Sequence, residues 1–238
     1  MKLIRDTSVT QRYNNGDYKT KNNNWHINDS PWKANQIDKM ITRNKLQLNT
    51  ICEIGCGTGE ILVQLNLKNR YKNINFFGYE VSKDAYALCK KKRKKNIKFF
   101  KSDLLKLDKK FDCVLCIDVF EHVENFFGFL RRLRTKGKYK IFHIPLDLSV
   151  SSLIRKKLLY NRNTVGHLHY FTPETAIESL KDCGYEIIDV FFTPSYESSS
   201  NINLTSRLQK IFRKPLYYIS PKLLSTLLGG VSLMVLSK

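Results

Sequence analysis

The chain has 238 residues, 42% of them apolar and 12% aromatic. That is enough to build one α/β domain with a packed core, and it excludes a disordered chain. Its 41 basic and 21 acidic side chains leave a net charge of +20, so an anionic partner such as RNA, a nucleotide-sugar or an acidic membrane surface stands beside the plainer reading, a coding bias that inflates Lys and Asn. No run of 18 apolar residues occurs and no apolar segment follows Lys2, so neither a transmembrane span nor a signal peptide is expected. The six cysteines, at positions 52, 56, 89, 113, 116 and 183, read as reduced thiols of a cytoplasmic protein.

Residues 1–49 are polar and Asn-rich. Tyr13 to Tyr18 reads as a turn, and Asp29 or Ser30 as the N-cap of a helix with Pro31 at its first position and Ile37, Met40 and Ile41 on one face. Trp25 and Trp32 lie outside the expected sheet; they either cover a ligand site or pack this helix on the domain. The expected organisation is a lid or helical extension over 1–47 and a main domain over 48–238, with insertions at 146–166 and 195–228.

The apolar run Ile51–Ile54 predicts a buried strand. It leads into Gly55, Gly57 and Gly59, and then into the helical spacing of Ile61, Leu62 and Leu65. Strand, glycine turn and helix is a nucleotide-binding arrangement, because glycine lets the backbone turn sharply and approach a ligand closely. A second strand, Ile74–Tyr79, ends at Glu80, at the spacing of a ribose-binding carboxylate. The turn is neither G-x-G-x-x-G nor G-x-x-x-x-G-K-[ST], which argues against a dinucleotide and against a phosphate-cradling P-loop.

Glu53-Ile54-Gly55-Cys56-Gly57-Thr58-Gly59 followed by Gly78-Tyr79-Glu80-Val81-Ser82 resembles the first two motifs of class I S-adenosylmethionine (SAM)-dependent methyltransferases. The resemblance implies a Rossmann-like α/β fold. Its sheet has seven mostly parallel strands in the order 3-2-1-4-5-7-6, with strand 7 antiparallel and helices on both faces. It also implies SAM as cofactor, held by Glu53, Gly55, Cys56, Gly57, Gly59, Glu80, Val81, Asp103, Leu104 and Asp118. Asp103, just after the third strand (Asn96–Phe100), matches the acid that meets the adenine amino group; its plainer role is a cap. The N-terminal segment resembles the lid of SAM methyltransferases encoded with glycan-biosynthesis enzymes.

Phe111–Val123 carries a buried strand that ends at Asp118, then a turn with Glu121 and His122. It resembles the fourth family motif in the form shared with ubiquinone-biosynthesis O-methyltransferases. The carboxyl end of this strand, beside the first, is where an open α/β sheet binds ligands. Glu121 and His122 either join Asp118 around a divalent ion or cap the next helix, and the sequence assigns no metal. Cys113 and Cys116 do not form a zinc pair, since residues three apart on a strand point to opposite faces.

A helix over Asn125–Leu133 and a strand over Lys138–Ile144, which contains His143, come next. The basic insertion at 146–166 sits where the family places its substrate lid. In Gly166-His167-Leu168-His169-Tyr170-Phe171-Thr172-Pro173, Thr172 caps a helix. This stretch resembles the family's His-Leu-x-aromatic-Phe-[ST] pattern near the acceptor. His167 is the leading candidate for a general base, because neutral imidazole takes a proton near pH 7; His169 and His143 follow. Trp25, Trp32, His122 and Tyr170 are candidates for the acceptor side or lid. Residues 195–228 read as two basic, apolar helices, packed on the sheet end or turned to a membrane or lipid-linked substrate. The expected reaction is methyl transfer to a hydroxyl of a small molecule or sugar precursor. Alternatives are RNA methylation, a non-catalytic SAM-binding subunit, and a nicotinamide-dependent oxidoreductase. Nucleic acid is disfavoured because Asp118-Val119-Phe120-Glu121 lacks an Asn/Asp-Pro-Pro-aromatic motif.

Overall fold

The computed structural model describes residues 27–198 and 204–238, and the side chains of 204–209 are left undescribed. Trp25 and the expected turn at Tyr13–Tyr18 lie outside the described residues. The strands are β1 (Thr50–Ile54), β2 (Asn75–Glu80), β3 (Ile97–Lys101), β4 (Phe111–Ile117), β5 (Gly137–Pro145), β6 (Ile187–Thr193) and β7 (Ser232–Ser237). They form one sheet in the order 3-2-1-4-5-7-6, in which only β7 runs antiparallel to its neighbours. Order and direction are those the family resemblance implied.

The helices are α1 (Ser30–Arg43), α2 (Glu60–Asn66), α3 (Lys83–Cys89), α4 (Phe126–Leu133), α5 (Val150–Ile154), α6 (Lys157–Thr164), α7 (Pro173–Asp182), α8 (Leu204–Ile219) and α9 (Pro221–Leu227). They divide the apolar residues into two cores, one on each face of the sheet. Ile37, Met40 and Ile41 of α1 and Ile61, Leu62 and Leu65 of α2 pack with Cys113, Leu115 and Ile117 of β4. Phe129, Leu130 and Leu133 of α4, Ala176 and Leu180 of α7 and Leu224 of α9 pack with Val114 and Cys116. Cys113 and Cys116 therefore do face opposite ways, and all six cysteines are free. Burial on both faces is why β4 reads as a continuous apolar run rather than an alternating one.

The helix expected within an N-terminal lid is anchored in this core. At its C-terminal end, Asn44 donates to Asp189 of β6 at 2.8 Å, and Arg43 pairs with the same carboxylate at 2.9 Å. Only its first turn, with Trp32 and Lys33, reaches the carboxyl ends of the strands. On the opposite side of the sheet, Thr172 caps α7 as expected: its hydroxyl accepts from Thr175 N, and Thr175 Oγ1 accepts from Thr172 N in return.

Candidate active site

At the carboxyl end of β1, all three glycines of the turn have positive φ: +64° at Gly55, +53° at Gly57 and +72° at Gly59. Two of them differ in why a side chain is barred. A Cβ on Gly59 would stand 2.4 Å from the buried Phe99 ring, whereas one on Gly57 would meet nothing within 4 Å. Gly59 is required by packing; Gly57 faces open space that a ligand can occupy. The turn is pinned to β2 by Cys56 N, which donates to Tyr79 O at 3.1 Å.

Glu80 closes this half. Its Oε2 accepts from Gly57 N at 2.8 Å and its Oε1 from Ser82 N at 2.7 Å. Burial raises its carboxyl above the ordinary range, and these backbone donors oppose the rise. Glu53 is buried, and its Oε2 has no hydrogen-bond partner. Burial pushes this carboxyl well up, while the Lys33 ammonium facing it pulls the other way. Val81, next to Glu80, is 52% exposed, an apolar surface at the mouth. Asp103 Oδ1 accepts from Leu105 N at 2.9 Å, which is the capping role, and Leu104 is fully buried in the core.

Asp118 ends β4 with φ +53°, a conformation few non-glycine residues hold. Two groups tie its carboxylate: Lys33 Nζ at 2.6 Å from Oδ2, and His143 Nδ1 at 2.6 Å from Oδ1. Burial alone would raise this carboxyl, but His143 and Lys33 outweigh it and hold it well below the usual carboxylate range. His143 Nε2 reaches Thr193 Oγ1 of β6 at 2.9 Å, and the Trp32 ring meets the His143 ring edge-on at 5.9 Å. Trp32 thus lies over the site, and His143 is a buried link between β4 and β6.

A third group gathers at the turn after β4. The backbone carbonyl of Glu121 accepts from Leu168 N at 2.8 Å and His169 N at 3.1 Å, which fastens the histidine loop onto this turn. Tyr170 OH anchors the same loop through Leu158 O of α6 and His167 O. His167 Nδ1 lies 2.5 Å from Asp147 Oδ2, and Asn161 of α6 bonds the same aspartate. Burial would lower the His167 imidazole, but its bond to Asp147 and the nearby Glu121 raise it above its ordinary value. The His122 and His167 rings meet at 4.8 Å. Glu121 is fully buried and neither carboxyl oxygen has a hydrogen-bond partner; burial, followed by the charge of Asp118, pushes it up to about 8.

The structure therefore brings together His122, His167, Asp118 and His143 from the expected set. His169 turns away: its Nε2 donates to Val123 O at 2.9 Å and its ring packs on Phe126. Tyr170 acts as a tether. Lys33, Asp147, Asn161 and Thr193 were not read from the sequence. Asp147 carried one usable signal, its place just past the carboxyl end of β5.

A sheet of this order, with a glycine turn after β1, buried acids at the ends of β1 and β2 and a half-buried one at the end of β4, has the class I SAM-dependent methyltransferase architecture. The family described as "Methyltransferase domain" matches residues 28–190, and the chain belongs to it. The fold is shared with magnesium protoporphyrin IX methyltransferase of Synechocystis with bound SAM, at TM-score 0.59 and 13% identity over 99% of each chain. It is also shared with a sarcosine dimethylglycine methyltransferase assigned in Galdieria sulphuraria, at TM-score 0.61 and 11% identity over 86% of this chain and 83% of that one. A tRNA (guanine-N(7)-)-methyltransferase of Mycoplasma capricolum is 36% identical over 87 residues, 35% of this chain. The match spans only 37% of that relative's length. The chain is thus a member of the methyltransferase-domain family with the fold of a SAM-bound methyltransferase.

Proposed function

We propose that the chain transfers the methyl group of SAM to a hydroxyl oxygen of a small molecule or sugar precursor. The observation that carries the cofactor side is the orphaned, buried Glu53 oxygen beside Glu80 and the open face of Gly57. SAM brings a sulfonium and an ammonium but no phosphate, and an acid-lined turn without its own Lys or Arg suits that charge. In this reading Gly55, Cys56, Gly57 and Gly59 supply backbone and Glu53 takes the ammonium end. Glu80 takes the ribose hydroxyls, exchanging its bond to Gly57 for them, and Val81 packs on the base. Asp103 meets the base edge through its free carboxylate capacity, Leu104 contributes backbone alone, and Asp118 closes the methyl end.

When bound, SAM supplies a methyl group that is already electrophilic, so the protein's work is alignment and proton removal. His167 removes the acceptor proton. Asp147 holds the ring at Nδ1, turns Nε2 outward and stabilises the imidazolium that forms. Lys33, His143 and Thr193 fix Asp118, and Trp32 shields it from water.

The acceptor side also carries an apolar, basic face. Leu153, Ile154, Leu159 and Tyr160 of α5 and α6, and Ile211, Phe212, Tyr218 and Ile219 of α8, are each more than half exposed. Arg155 and Lys157 of this face both feel the charge of Arg213. This composition suits an acceptor presented on an anionic lipid surface, although no helix among the described residues is long and apolar enough to cross a membrane. The net charge and the short match to a tRNA methyltransferase favour RNA as the second reading.

Calorimetric titration with SAM, S-adenosylhomocysteine and NAD tests the first step. Binding of the two sulfur compounds alone is expected, and binding of NAD alone would overturn the reading. With the acceptor in hand, an affinity that falls steeply with salt would move the assignment to RNA.

A further inference from the structure

We infer that Glu121, His122 and His167 form a site for one divalent first-row transition-metal ion on the acceptor side of the pocket. Each residue offers a ligand atom, and these atoms lie within 4.8 Å of one another. Ligands about 2.1 Å from a common tetrahedral ion stand about 3.4 Å apart, so ligation draws the widest-spaced of these groups together by about 1.4 Å.

Three independent features of the surroundings favour an ion over a merely structural cluster. Glu121 is fully buried and neither of its carboxyl oxygens meets a hydrogen-bond donor, His122 Nε2 standing 3.7 Å from Oε1, beyond hydrogen-bond range. A buried carboxyl costs free energy unless something pairs with it closely, and an ion held between these two side chains would do so. His167 gives Nδ1 to Asp147, which leaves Nε2 as the ligating nitrogen and reproduces the carboxylate–histidine–metal pattern that orients ligands in metal sites. The backbone is preorganised as well. The Glu121 carbonyl holds Leu168 N and His169 N, and Tyr170 ties the loop to α6, so the three ligand positions are fixed before any ion arrives.

Two imidazoles and one carboxylate suit manganese, iron, cobalt or zinc better than magnesium or calcium, which prefer oxygen ligands. Three protein ligands leave coordination positions open. Asp118, at the end of β4, lies near enough for its charge to act on both Glu121 and His167. A hydroxyl bound at an open position loses its proton to water more readily, which is the ionisation that methylation of oxygen requires. A vicinal diol would occupy two open positions at once. This inference deepens the hydroxyl-acceptor reading above and gives His167 the role of ligand in place of free base.

The test is a titration of the full-length protein with Mn2+, followed by the electron paramagnetic resonance signal of the free ion. One Mn2+ per chain is expected. The isosteric Glu121→Gln and the truncated His122→Ala should each weaken binding at least tenfold. Asp147→Asn, which touches no ion, should weaken it about 10-fold or more through His167. Nitrogen couplings of two imidazoles should appear in the spin-echo spectrum of bound Mn2+ and fall to one in His122→Ala. Absence of Mn2+ binding at millimolar concentration overturns the inference. So does binding that survives unchanged in both Glu121→Gln and Asp147→Asn. SAM affinity measured on the same samples separates the two proposals: intact SAM binding without Mn2+ binding removes the ion and leaves the methyltransferase reading standing.

Discussion

Around Gly55–Gly59 and Glu80, the groups lie within a few residues of two adjacent strand ends and meet through backbone N–H donors. Around His167, they come from α1, the turn after β4, the end of β5, α6, the loop before α7 and β6, and they meet through side chains. The cofactor half is therefore a property of two short segments, while the acceptor half exists only once distant segments have packed. The contrast has a functional counterpart. In the reading proposed above, a cofactor used by many enzymes is served by a fixed backbone cradle, and the acceptor by side chains gathered from distant segments.

The largest expected effect tests how rigid the cradle is. Gly59→Ala places a Cβ 2.4 Å from the Phe99 ring in a left-handed conformation, which should cost about 3 kcal/mol. Thermal unfolding should show a drop in Tm on the order of 6–12 °C. Gly57→Ala has room for its methyl and should lose about 1 kcal/mol of stability, its larger effect falling on SAM affinity. Equal stability losses at the two positions would mean that Gly57 also serves packing.

The next test asks whether the halves are separable. His167→Ala should lower turnover by about 100-fold or more while leaving the SAM dissociation constant within about twofold. A turnover loss of that size is expected whether the ring acts as base or as ligand. A matching loss of SAM affinity would show that the halves are coupled. Conversely, Glu80→Ala should weaken SAM binding at least tenfold, about 1.4 kcal/mol, by removing the charged acceptor for the ribose hydroxyls. Unchanged affinity in calorimetry would remove Glu80 from the site.

The smallest effect is a control at the amino ends of the strands, away from both halves. Asp112 Oδ2 accepts from Asn49 N, Thr50 N and Thr50 Oγ1. Partial burial raises its carboxyl, and these donors outweigh it and lower it. A depressed carboxyl contributes stability above its unfolded value of about 3.9 and loses it as pH falls through the folded value. Asp112→Asn should therefore cost about 1 kcal/mol at pH 7, with the difference from wild type vanishing in acid. Turnover and SAM affinity should stay unchanged.

The sheet order was legible because the glycine turn, Glu80 and Asp118 recur at family spacing and because β4 is apolar on both faces. Capping of α7 was legible from Thr172-Pro173 alone, a local rule. The face of each cysteine in β4 followed from strand period. Asp103 shows a residue with two readings: the family resemblance marks it for a ligand, and in the fold its Oδ1 caps the next turn, the plainer role the sequence also offered. His167 and His169 are two residues apart and look alike in sequence. Only packing sends one to Asp147 and the other to the Val123 carbonyl.

What the sequence determined by itself was whatever depends on neighbours a few residues away: strands, caps and the glycine turn, with the class of cofactor implied by the family resemblance those motifs carry. Tertiary structure alone decided that Lys33, Asp118, His143 and Thr193 form one chain of contacts, and that Glu121 stands buried beside His122 and His167. The physical reason is that hydrogen-bond and ion-pair partners are set by distance in space. These pairs are separated by up to 85 positions along the chain, and periodicity carries no information at that range.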